Sequence, residues 1–426
     1  MNRSGWGRTG RPRRSDTTRW VARLVPPLLL MVVALVPAGP AWSQEELPAI
    51  FEDVPAPPAI TATAAYAFDV SAGVPLYALN ADERLPPASL TKIATALVVL
   101  ERIELDEQVL ILASDLVEPE FSNMSLVAND VLTVEQLLYG LFLPSGNDAA
   151  NALARTVGAE LPGGDPTDAA ASIAAFVDAM NELVGALGLE NTHFVDPAGL
   201  DDPEQYSSAR DLTRLAQEAL ESQTLAEIAE TTSIELTSVG PEERAYPLEN
   251  TNKLLGLGGV HGLKTGTTPL AGACLVTAAW FHGPNRVITV VLGSAEDIDA
   301  AAEDPSVNPR FADTEAILGG LEKDYTWLSP TDKDDIKGLG EELAAWQVTL
   351  KDGPAVVVPS AELDRFRYKV RLGPEGPPNS KVGRVLFLVG SVVVAERTLY
   401  QAEAASGANA TTEQDDAATR STEIAA

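Results

Sequence analysis

The chain contains 426 residues, of which 45% are hydrophobic and 6% aromatic, a composition typical of a globular protein long enough for two or three domains. The formal net charge is −31, which argues against nucleic acid as a partner because a phosphate backbone repels an acidic surface. A single cysteine, Cys274, excludes an internal disulfide, and three scattered histidines are too few to indicate a metal site or a Ser-His-Asp triad.

Residues 1–43 have the pattern of a secretion signal. Seven arginines and one acid in residues 1–23 precede an apolar run, Leu24 to Val36, and a stretch of small residues. The apolar run contains two prolines and is short for a bilayer span, which needs about 20 residues, so an uncleaved anchor is the alternative interpretation. We therefore expect an exported protein that contacts a membrane only through this leader, with residues 44–59 as a proline-rich acidic linker.

The next region is predicted to open with a hairpin and a helix. Ile60 to Val70 and Val74 to Leu79 have the pattern of two paired strands. After two prolines an apolar run with helical spacing begins, which places Ser89 in the first helical turn. Lys92 follows three residues later on the same helix face. A hydroxyl with an amine one turn behind it can act as a nucleophile, although a surface lysine beside an N-cap serine is the commoner case.

The middle of the chain is predicted to be mostly helical. Thr133 and Gln136 stand in capping-box register at the start of one helix. A polar turn, Ser145 to Asp148, leads into an alanine-rich helix. Further amphipathic patterns predict helices from Ala169 to Leu187 and from Ala209 to Ser222.

Two strand-like runs, Gly272 to Phe281 and Arg286 to Gly293, predict a second hairpin, followed by a helix from Asp313 to Leu321. Strands at both ends with helices between them predict an antiparallel sheet flanked by helices, with an inserted helical lobe, over residues 60–322. The fold class is thus α/β (α+β). Short alternating strands predict a small β-rich domain at 323–401, and residues 402–426 are expected to be a disordered acidic tail.

Three short motifs occur in order along the chain: Ser89-x-x-Lys92, Ser145-Gly146-Asn147 and Lys264-Thr265-Gly266. Ser-x-x-Lys alone should occur about once or twice by chance in a chain of this length, whereas each of the two tripeptides is expected only about once in several thousand residues. The motifs and their flanks, LPPASLTKIAT, LLYGLFLPSGNDAANAL, NTHFVDPAGL and GLKTGTTPLA, resemble those of serine-type D-alanyl-D-alanine carboxypeptidases, the low-molecular-weight penicillin-binding proteins. The resemblance covers about residues 60–322. It implies a β-lactamase/transpeptidase-like fold followed by a β domain, with no cofactor and no metal.

The resemblance implies three catalytic side chains. Ser89 would attack the carbonyl between two D-alanines to form an acyl-enzyme, with Lys92 as its base and Ser145 as a proton relay to the leaving amine. For Lys92 to accept a proton near neutral pH, its pKa must fall from about 10.4 toward 7, which burial and the second cation Lys264 would supply. The backbone N–H groups of Ser89 and Thr267 would form the oxyanion hole.

Five residues would bind the substrate if the resemblance holds. Asn147 would hold the peptide by its side-chain amide, and Lys264, Thr265 and Thr267 would recognise the terminal carboxylate. Gly266, which lacks a side chain, would let the peptide lie against the strand as an added strand.

The implied activity is removal of the terminal D-alanine from peptidoglycan stem peptides at the bacterial cell envelope, outside the cytoplasmic membrane or secreted, with β-lactams as covalent inhibitors. Two alternatives stay open. A class A-like β-lactamase uses similar groups but needs a glutamate-activated water, and a penicillin-binding envelope sensor or scaffold would need no catalysis. The chain departs from the family pattern at several positions. Thr251 stands where some relatives carry a basic residue, and His261, where an acid is common, is expected to lie in a solvated loop.

Overall fold

The computed structural model describes residues 58–294 and 308–403 and the backbone of 421–425. The strands, in chain order, are β1 (Ala64–Asp69), β2 (Val74–Leu79), β3 (Gln108–Leu110), β4 (Val131–Thr133), β5 (Ser233–Thr237), β6 (Ala245–Glu249), β7 (Val260–Thr268), β8 (Gly272–Phe281), β9 (Asn285–Ser294), β10 (Tyr325–Leu328), β11 (Val348–Thr349), β12 (Val356–Pro359), β13 (Phe366–Leu372), β14 (Lys381–Val389), β15 (Val392–Gln401) and β16 (Ser421–Ala425). The α-helices are α1 (Lys92–Arg102), α2 (Val134–Phe142), α3 (Asn147–Gly158), α4 (Ala169–Leu187), α5 (Ala209–Glu221), α6 (Gln223–Glu230), α7 (Pro309–Asp324) and α8 (Leu339–Ala345). The predicted signal sequence and nearly all of the predicted linker lie outside the described residues.

Five strands form the central antiparallel sheet, in the order β2-β1-β9-β8-β7. β1 pairs with its hairpin partner β2 and also with β9, where Tyr66 lies opposite Val290. β7 is an edge strand and pairs with β8, where Gly266 lies opposite Cys274. The first and last strands of this region are thus neighbours, which confirms the predicted sheet built from its two ends.

The central strands are buried on both faces, which explains why their sequences are continuous apolar runs rather than alternating ones. In β8, Cys274, Val276 and Ala278 point into the core shared with the helical lobe. Leu275 and Ala279 point to the other face, into a second core that contains apolar side chains of α7. The predicted helix over one sheet face therefore corresponds to α7, which begins earlier than the sequence indicates.

The helices between β2 and β7 form the lobe. The N-terminus of α2 has the predicted capping box: Gln136 N donates to Thr133 Oγ1 at 3.2 Å, and Thr133 N donates to Gln136 Oε1 at 3.0 Å. By length and composition α4 would be able to cross a membrane. Its inner side, which includes Phe176 and Met180, packs in the core of the lobe, an arrangement that also produces long apolar helices.

The region after α7 is rich in strands, in keeping with the sequence pattern. A five-stranded antiparallel sheet has the order β11-β15-β14-β13-β16, and β10 pairs separately with β12. The core of this region is centred on Tyr368, Val385 and Phe387. Trp327 of β10 instead belongs to the second core beneath the central sheet, together with Leu76 of β2. The apolar packing is therefore continuous across residue 323.

Two stretches contain structure that the sequence analysis does not predict. The charged stretch at 223–249 contains α6 and the hairpin of β5 and β6; the burial of β5 alternates only between half-buried and exposed, so its apolar signal is weak. The sequence predicts disorder for 402–426, whereas the backbone of Ser421–Ala425 pairs with β13. The exposed edge of a sheet offers unpaired backbone groups to any segment able to extend, and composition does not reveal such pairing.

Candidate active site

Ser89 lies in a tight 3₁₀ turn, Ala88–Thr91, immediately before α1. Leu90 N donates to Pro87 O at 3.2 Å, and Ala88 adopts a left-handed conformation with φ of 50°. The turn places Lys92 at the first position of α1, so that its Nζ lies 2.9 Å from Ser89 Oγ. The predicted proximity of these two side chains is therefore seen in the structure.

Lys92 is fully buried and has three close polar neighbours. Besides Ser89 Oγ, its Nζ lies 2.7 Å from Asn147 Oδ1 and 2.7 Å from the carbonyl oxygen of Ala198. Burial lowers the pKa of Lys92 to about 7, although the charges of Asp196 and Asp148 act to raise it. A neutral amine can donate two N–H groups to Asn147 and Ala198 and keep its lone pair for the hydroxyl hydrogen of Ser89. The geometry therefore suits Lys92 as a base.

The turn that carries Ser145 and Asn147 is fixed by a buried carboxylate. Asp148 accepts hydrogen bonds from the backbone N of Met124 at 3.0 Å, Leu126 at 3.0 Å and Ala149 at 2.9 Å. A Cβ on Gly146 would lie 2.7 Å from Asp148 Oδ1 and 2.9 Å from Gly140 O. Glycine is therefore required in the middle of this motif by close packing, a reason that its sequence alone does not give.

Ser145 is held in the left-handed region, with φ of 64°. Its Oγ is buried and has no hydrogen-bond partner within the part of the chain that the structure describes. A buried hydroxyl without a partner costs free energy, and such costs concentrate at functional sites. Ser145 lines the same cavity as Ser89, but the hydrogen bonds of Lys92 Nζ go to Ser89, Asn147 and Ala198 instead.

β7 forms the opposite wall of this cavity. Lys264 is buried, and its Nζ donates to the carbonyl oxygen of Thr265 at 2.9 Å. Burial, with the positive charges of Lys92 and Arg310, holds the pKa of Lys264 well below its usual value. The hydroxyls of Thr265 and Thr251 are hydrogen-bonded at 2.6 Å, so Thr251 orients a residue of the motif.

Gly266 directly faces the 3₁₀ turn Ala88–Thr91, which carries Ser89 and is called the nucleophile turn below. A Cβ at this position would lie 3.0 Å from Ala88 Cβ and 3.1 Å from both the carbonyl oxygen of Pro87 and the backbone N of Ser89. Gly199 approaches the same turn from the other side, where a Cβ would lie 1.9 Å from Ala88 O. The turn is therefore clamped between two glycines, and the space in front of the Ser89 N–H stays open.

Arg310 is a site residue that the sequence interpretation missed. It lies in the first turn of α7 and is 5% exposed. Its Nη1 donates to Gly266 O at 2.9 Å and its Nη2 to Thr267 Oγ1 at 2.6 Å. Burial lowers the pKa of Arg310, yet a guanidinium stays charged at neutral pH. A cation in the first turn of a helix is unfavourable for the helix dipole, and the sequence predicts this helix only from Asp313, so no local signal identifies Arg310.

A cavity of about 490 Å³ joins these elements. Its lining includes Ser89, Ser145, Thr265, Gly266, Thr267 and Arg310. Lys92, Asn147 and Lys264 are buried beside it. The structure thus brings all the predicted site residues together, with Arg310 as an additional cation at the cavity. Such a site can activate a hydroxyl and bind an anionic group next to it.

The prediction for His261 is wrong. His261 is 7% exposed and lies in β7 rather than in a solvated loop. Its ring stacks on Trp280 with a centroid distance of 4.5 Å, and the guanidinium of Arg286 lies 4.6 Å from the ring centroid of the same tryptophan. Burial lowers the pKa of His261. The sequence prediction failed because β7 begins four residues before the Lys264-Thr265-Gly266 motif, at Val260. His261 therefore belongs to the strand, and its side chain packs in the sheet.

Cys274 is buried in β8, and burial raises the pKa of its thiol to about 11, which makes it a poor nucleophile or metal ligand. Across residues 58–294 and 308–403, no group of three or more His, Cys, Asp or Glu side chains is arranged to hold a metal ion.

Comparisons with known proteins agree on one family. A family model described as D-alanyl-D-alanine carboxypeptidase, peptidase S11, matches residues 52–296. The chain is 39% identical to the D-alanyl-D-alanine carboxypeptidase of Streptomyces sp. strain K15 over 56% of this chain and 82% of that protein. It is 36% identical to DacA of Haemophilus influenzae over 56% of this chain but only 58% of that relative.

Solved structures give the same result. The Streptomyces K15 DD-transpeptidase superposes with a TM-score of 0.55 at 36% identity, covering 62% of this chain and 98% of that one. Penicillin-binding protein 5 from Haemophilus influenzae superposes with a TM-score of 0.59 at 27% identity, covering 82% of this chain and 99% of that one.

Proposed function

Because the chain belongs to the D-alanyl-D-alanine carboxypeptidase family, peptidase S11, we propose that it removes the terminal D-alanine from peptidoglycan stem peptides through an acyl-enzyme on Ser89, and that β-lactams acylate the same oxygen. The observation that carries this proposal is the 2.9 Å contact between Ser89 Oγ and the buried Lys92 Nζ, beside a cavity lined by Thr265, Thr267 and Arg310.

In the acylation step, Ser89 Oγ attacks the carbonyl carbon between the two D-alanines while its proton passes to neutral Lys92. The new C–O bond forms, and the negative charge on the carbonyl oxygen is held by the backbone N–H groups of Ser89 and Thr267. The C–N bond then breaks as the proton moves through Ser145 to the leaving amine. D-Alanine departs, and water hydrolyses the ester to restore Ser89.

Recognition of the free carboxylate selects the end of the peptide. Arg310 and the hydroxyls of Thr265 and Thr267 offer donors to a carboxylate in the cavity, and the buried charge of Lys264 adds to the positive potential there when that amine is protonated. Asn147 is held by Lys92 through Oδ1, which leaves its amide N–H groups for the peptide. Gly266 leaves room for the substrate backbone beside the edge strand β7.

Export to the cell envelope belongs to the same proposal. A leader of seven arginines followed by an apolar run and small residues supports secretion, with the leader as the segment that contacts the membrane. Fusion of residues 1–43 to a reporter that works only outside the cytoplasm would test export. A reporter that stays inactive would remove this part of the proposal.

Two measurements test the proposed reaction. After treatment with benzylpenicillin, mass spectrometry should find an adduct on Ser89 that is lost in Ser89→Ala but kept in Ser122→Ala, which removes another serine at the same cavity. The purified protein should also release D-alanine from a pentapeptide ending in D-Ala-D-Ala. Labelling at another residue, or none, contradicts the proposal.

The same experiments separate the alternatives. A β-lactamase would turn over penicillin rapidly and many times, whereas a carboxypeptidase keeps a long-lived adduct. A non-catalytic sensor would form the adduct yet release no D-alanine from the peptide. Analysis of the products in the presence of an amine acceptor distinguishes hydrolysis from peptide transfer.

A further inference from the structure

The C-terminal β-sheet carries an excess of positive charge on a chain that is acidic overall. The chain contains 61 Asp and Glu residues against 30 Lys and Arg, whereas β13, β14 and β15 together contain six Lys and Arg residues and one acid, Glu396. None of these cations has a role in the mechanism above. A local basic patch attracts an anionic partner even on a protein of negative net charge, because salt screens the more distant charges.

Three of these cations surround one open cavity of about 530 Å³, which we call the basic cavity. Its charged lining consists of Arg371, Lys381, Arg384 and the single acid Glu396. Arg384 and Glu396 form an ion pair with 3.3 Å between Nη1 and Oε2. Arg371 and Lys381 are exposed, and neither side chain has a hydrogen-bond or ion-pair partner within residues 58–294 and 308–403. The basic cavity therefore holds two positive charges that are not paired with any acid of the described region.

The register of the sheet places two of the three cations opposite one another. Arg371 of β13 lies directly opposite Arg384 of β14 in the antiparallel pair. Like charges at directly opposite positions of two strands are unfavourable, and Glu396 pairs with only one of the two arginines. An anion between the two guanidinium groups would relieve this repulsion and accept hydrogen bonds from both. The strand pairing therefore points to a bound anion.

A phosphate diester fits this arrangement better than a carboxylate does. The two free oxygens of a tetrahedral phosphate point away from each other and can accept from donors on two strands, whereas the two coplanar oxygens of a carboxylate suit one guanidinium fork. A single exposed ion pair adds little affinity, so one phosphate alone binds weakly. A chain of phosphates binds more tightly, because each contact keeps the next phosphate close and because counterions are released from the polymer.

The shape of the basic cavity favours a narrow chain over a flat surface. The cations line a recess, and the plane of a bilayer surface does not enter a recess. Among the lining residues only Leu372 has a large apolar side chain, and it is half-buried, so the cavity offers little apolar surface for insertion into a membrane. The acidic remainder of the protein repels a polyanion, which limits the contact to this sheet.

We propose that the basic cavity binds a linear polymer of phosphate diesters. Arg371 and Arg384 hold one phosphate between β13 and β14, and Lys381 contacts a neighbouring phosphate of the same polymer. The polymer is not the substrate of the proposed reaction, since no residue of the catalytic cavity takes part. Such binding would keep an exported protein on an anionic polymer outside the cytoplasmic membrane and would leave the reaction at Ser89 unchanged.

The test measures thermal unfolding of the full chain with linear inorganic polyphosphate, whose internal units have the same two free oxygens and single charge as a diester. Polyphosphate at about 100 times its Kd should raise the melting temperature by about 2–5 °C, because it binds the folded state. The shift should shrink as the salt concentration rises. Poly-L-glutamate of equal charge should produce a smaller shift. No shift with polyphosphate, or an equal shift with polyglutamate, overturns the proposal.

Variants identify the groups responsible. The double variant Arg371→Gln/Lys381→Gln should weaken polyphosphate binding about 5- to 20-fold, the range expected for two exposed ion pairs. At the same polyphosphate concentration the shift in melting temperature should then fall to about half. Lys333→Gln/Lys337→Gln removes the same charge from two exposed lysines that do not line the basic cavity, and it should keep the full shift. Equal losses in the two double variants contradict the site.

Measurements without polyphosphate distinguish a binding role of Arg371 from a structural one. Arg371→Gln removes the repulsion from Arg384, so its melting temperature should equal or exceed that of the wild type. Arg371→Lys should keep part of the polyphosphate shift, since it keeps the charge and loses the fork of donors. A lower melting temperature of Arg371→Gln would show that this arginine stabilises the sheet without a ligand, which contradicts the proposal.

Other occupants of the basic cavity give different results. If vesicles of phosphatidylglycerol, but not of phosphatidylcholine, bind the wild type and spare Arg371→Gln/Lys381→Gln while polyphosphate has no effect, the ligand is a membrane and the polymer proposal is wrong. Salt-dependent dimers that this variant does not form would assign the cavity to a second acidic copy and also overturn it. Penicillin should label Ser89 normally in every variant. Loss of that labelling in the wild type contradicts the proposed function and leaves the polymer site intact.

Discussion

At Lys92, burial and the surrounding carboxylates act on the proton affinity in opposite directions. The amine has no exposed surface, which disfavours its charged form, while Asp148 and Asp196 favour that form. Burial dominates, and the pKa falls to about 7. Both forms are therefore populated near neutral pH, which is the condition for a base that accepts a proton and returns it within one turnover.

The rate of acylation is expected to follow the deprotonation of Lys92. Since the neutral amine is the active form, the second-order rate constant for benzylpenicillin should rise as pH increases through about 7 and level off above about 8. Lys92→Arg, which cannot lose its proton in this range, should acylate at least about a hundredfold more slowly. Circular dichroism at each pH is the control for folding. A rising limb centred near pH 10 would show that burial does not set this pKa.

Arg310 is expected to contribute mainly to recognition of the carboxylate. Arg310→Gln should lower kcat/KM for a D-Ala-D-Ala peptide about 10- to 100-fold, the value of a charge-assisted hydrogen bond. Arg310→Lys should recover part of the loss, since it keeps the charge without the fork of donors. Lys253→Gln, at an exposed cation of the same cavity, should have a smaller effect. Steady-state release of D-alanine measures all three, and equal losses for Arg310 and Lys253 would contradict a specific role.

At the level of elements, the active site depends on how closely β7 approaches the nucleophile turn. Gly266→Ala would place a methyl group 3.1 Å from the Ser89 backbone N, within the space proposed for the oxyanion. We expect acylation by penicillin to slow about 100-fold or more, with little change in melting temperature. Gly185→Ala is the control, because its Cβ meets nothing within 4 Å and should stabilise α4 by about 0.5–1 kcal/mol. Normal acylation in Gly266→Ala would show that the strand is not this close.

The Ser145 turn should depend on Asp148 for stability as well as for shape. Removing the carboxylate in Asp148→Ala leaves three backbone N–H groups without their acceptor, which should cost about 2–4 kcal/mol of unfolding free energy. Asp168→Ala removes an exposed carboxylate that caps α4 through two backbone N–H groups and should cost about 1 kcal/mol. Urea denaturation compares the two variants. Equal losses would mean that burial of Asp148 adds nothing.

The sequence predicts those elements whose signal is local. The capping box of Thr133 and Gln136 identifies the start of α2, and the apolar runs of β8 and β9 identify buried strands. The hairpin of β5 and β6 has no such signal, because only one side of β5 is partly covered. At the site, the three motifs identify the residues with reactive groups. Arg310 is a site residue because its guanidinium donates to Gly266 O, and no local sequence pattern reveals a contact between residues so far apart in the chain.

For the whole molecule, the region after α7 shares a core with the central sheet. Trp327 Nε1 donates to Asp69 Oδ2 at 2.7 Å, and Tyr325 Oη donates to Leu76 O at 2.8 Å. Both aromatic side chains are buried. The boundary proposed at residue 323 therefore separates two patterns of secondary structure without separating their apolar packing.

We expect Trp327→Ala to destabilise the catalytic region from outside it. Loss of a buried tryptophan should cost about 3–5 kcal/mol, and labelling of Ser89 by fluorescent penicillin should disappear at a lower temperature in parallel with the loss of circular dichroism. Trp346→Ala, at a half-buried position of the C-terminal core, should cost less, about 1–2 kcal/mol. If Trp327→Ala leaves the labelling temperature unchanged, the two regions unfold independently.

The clamp of Gly199 and Gly266 around the nucleophile turn, with Arg310 behind it, also has a consequence for biosynthesis. Ser89 emerges from the ribosome long before the strand and the guanidinium that complete its surroundings, so a growing polypeptide carries an unreactive serine until α7 has been made. Truncated chains of increasing length should therefore show no labelling of Ser89 by a fluorescent β-lactam until Arg310 is included. Labelling would then report when the fold around the active site is complete.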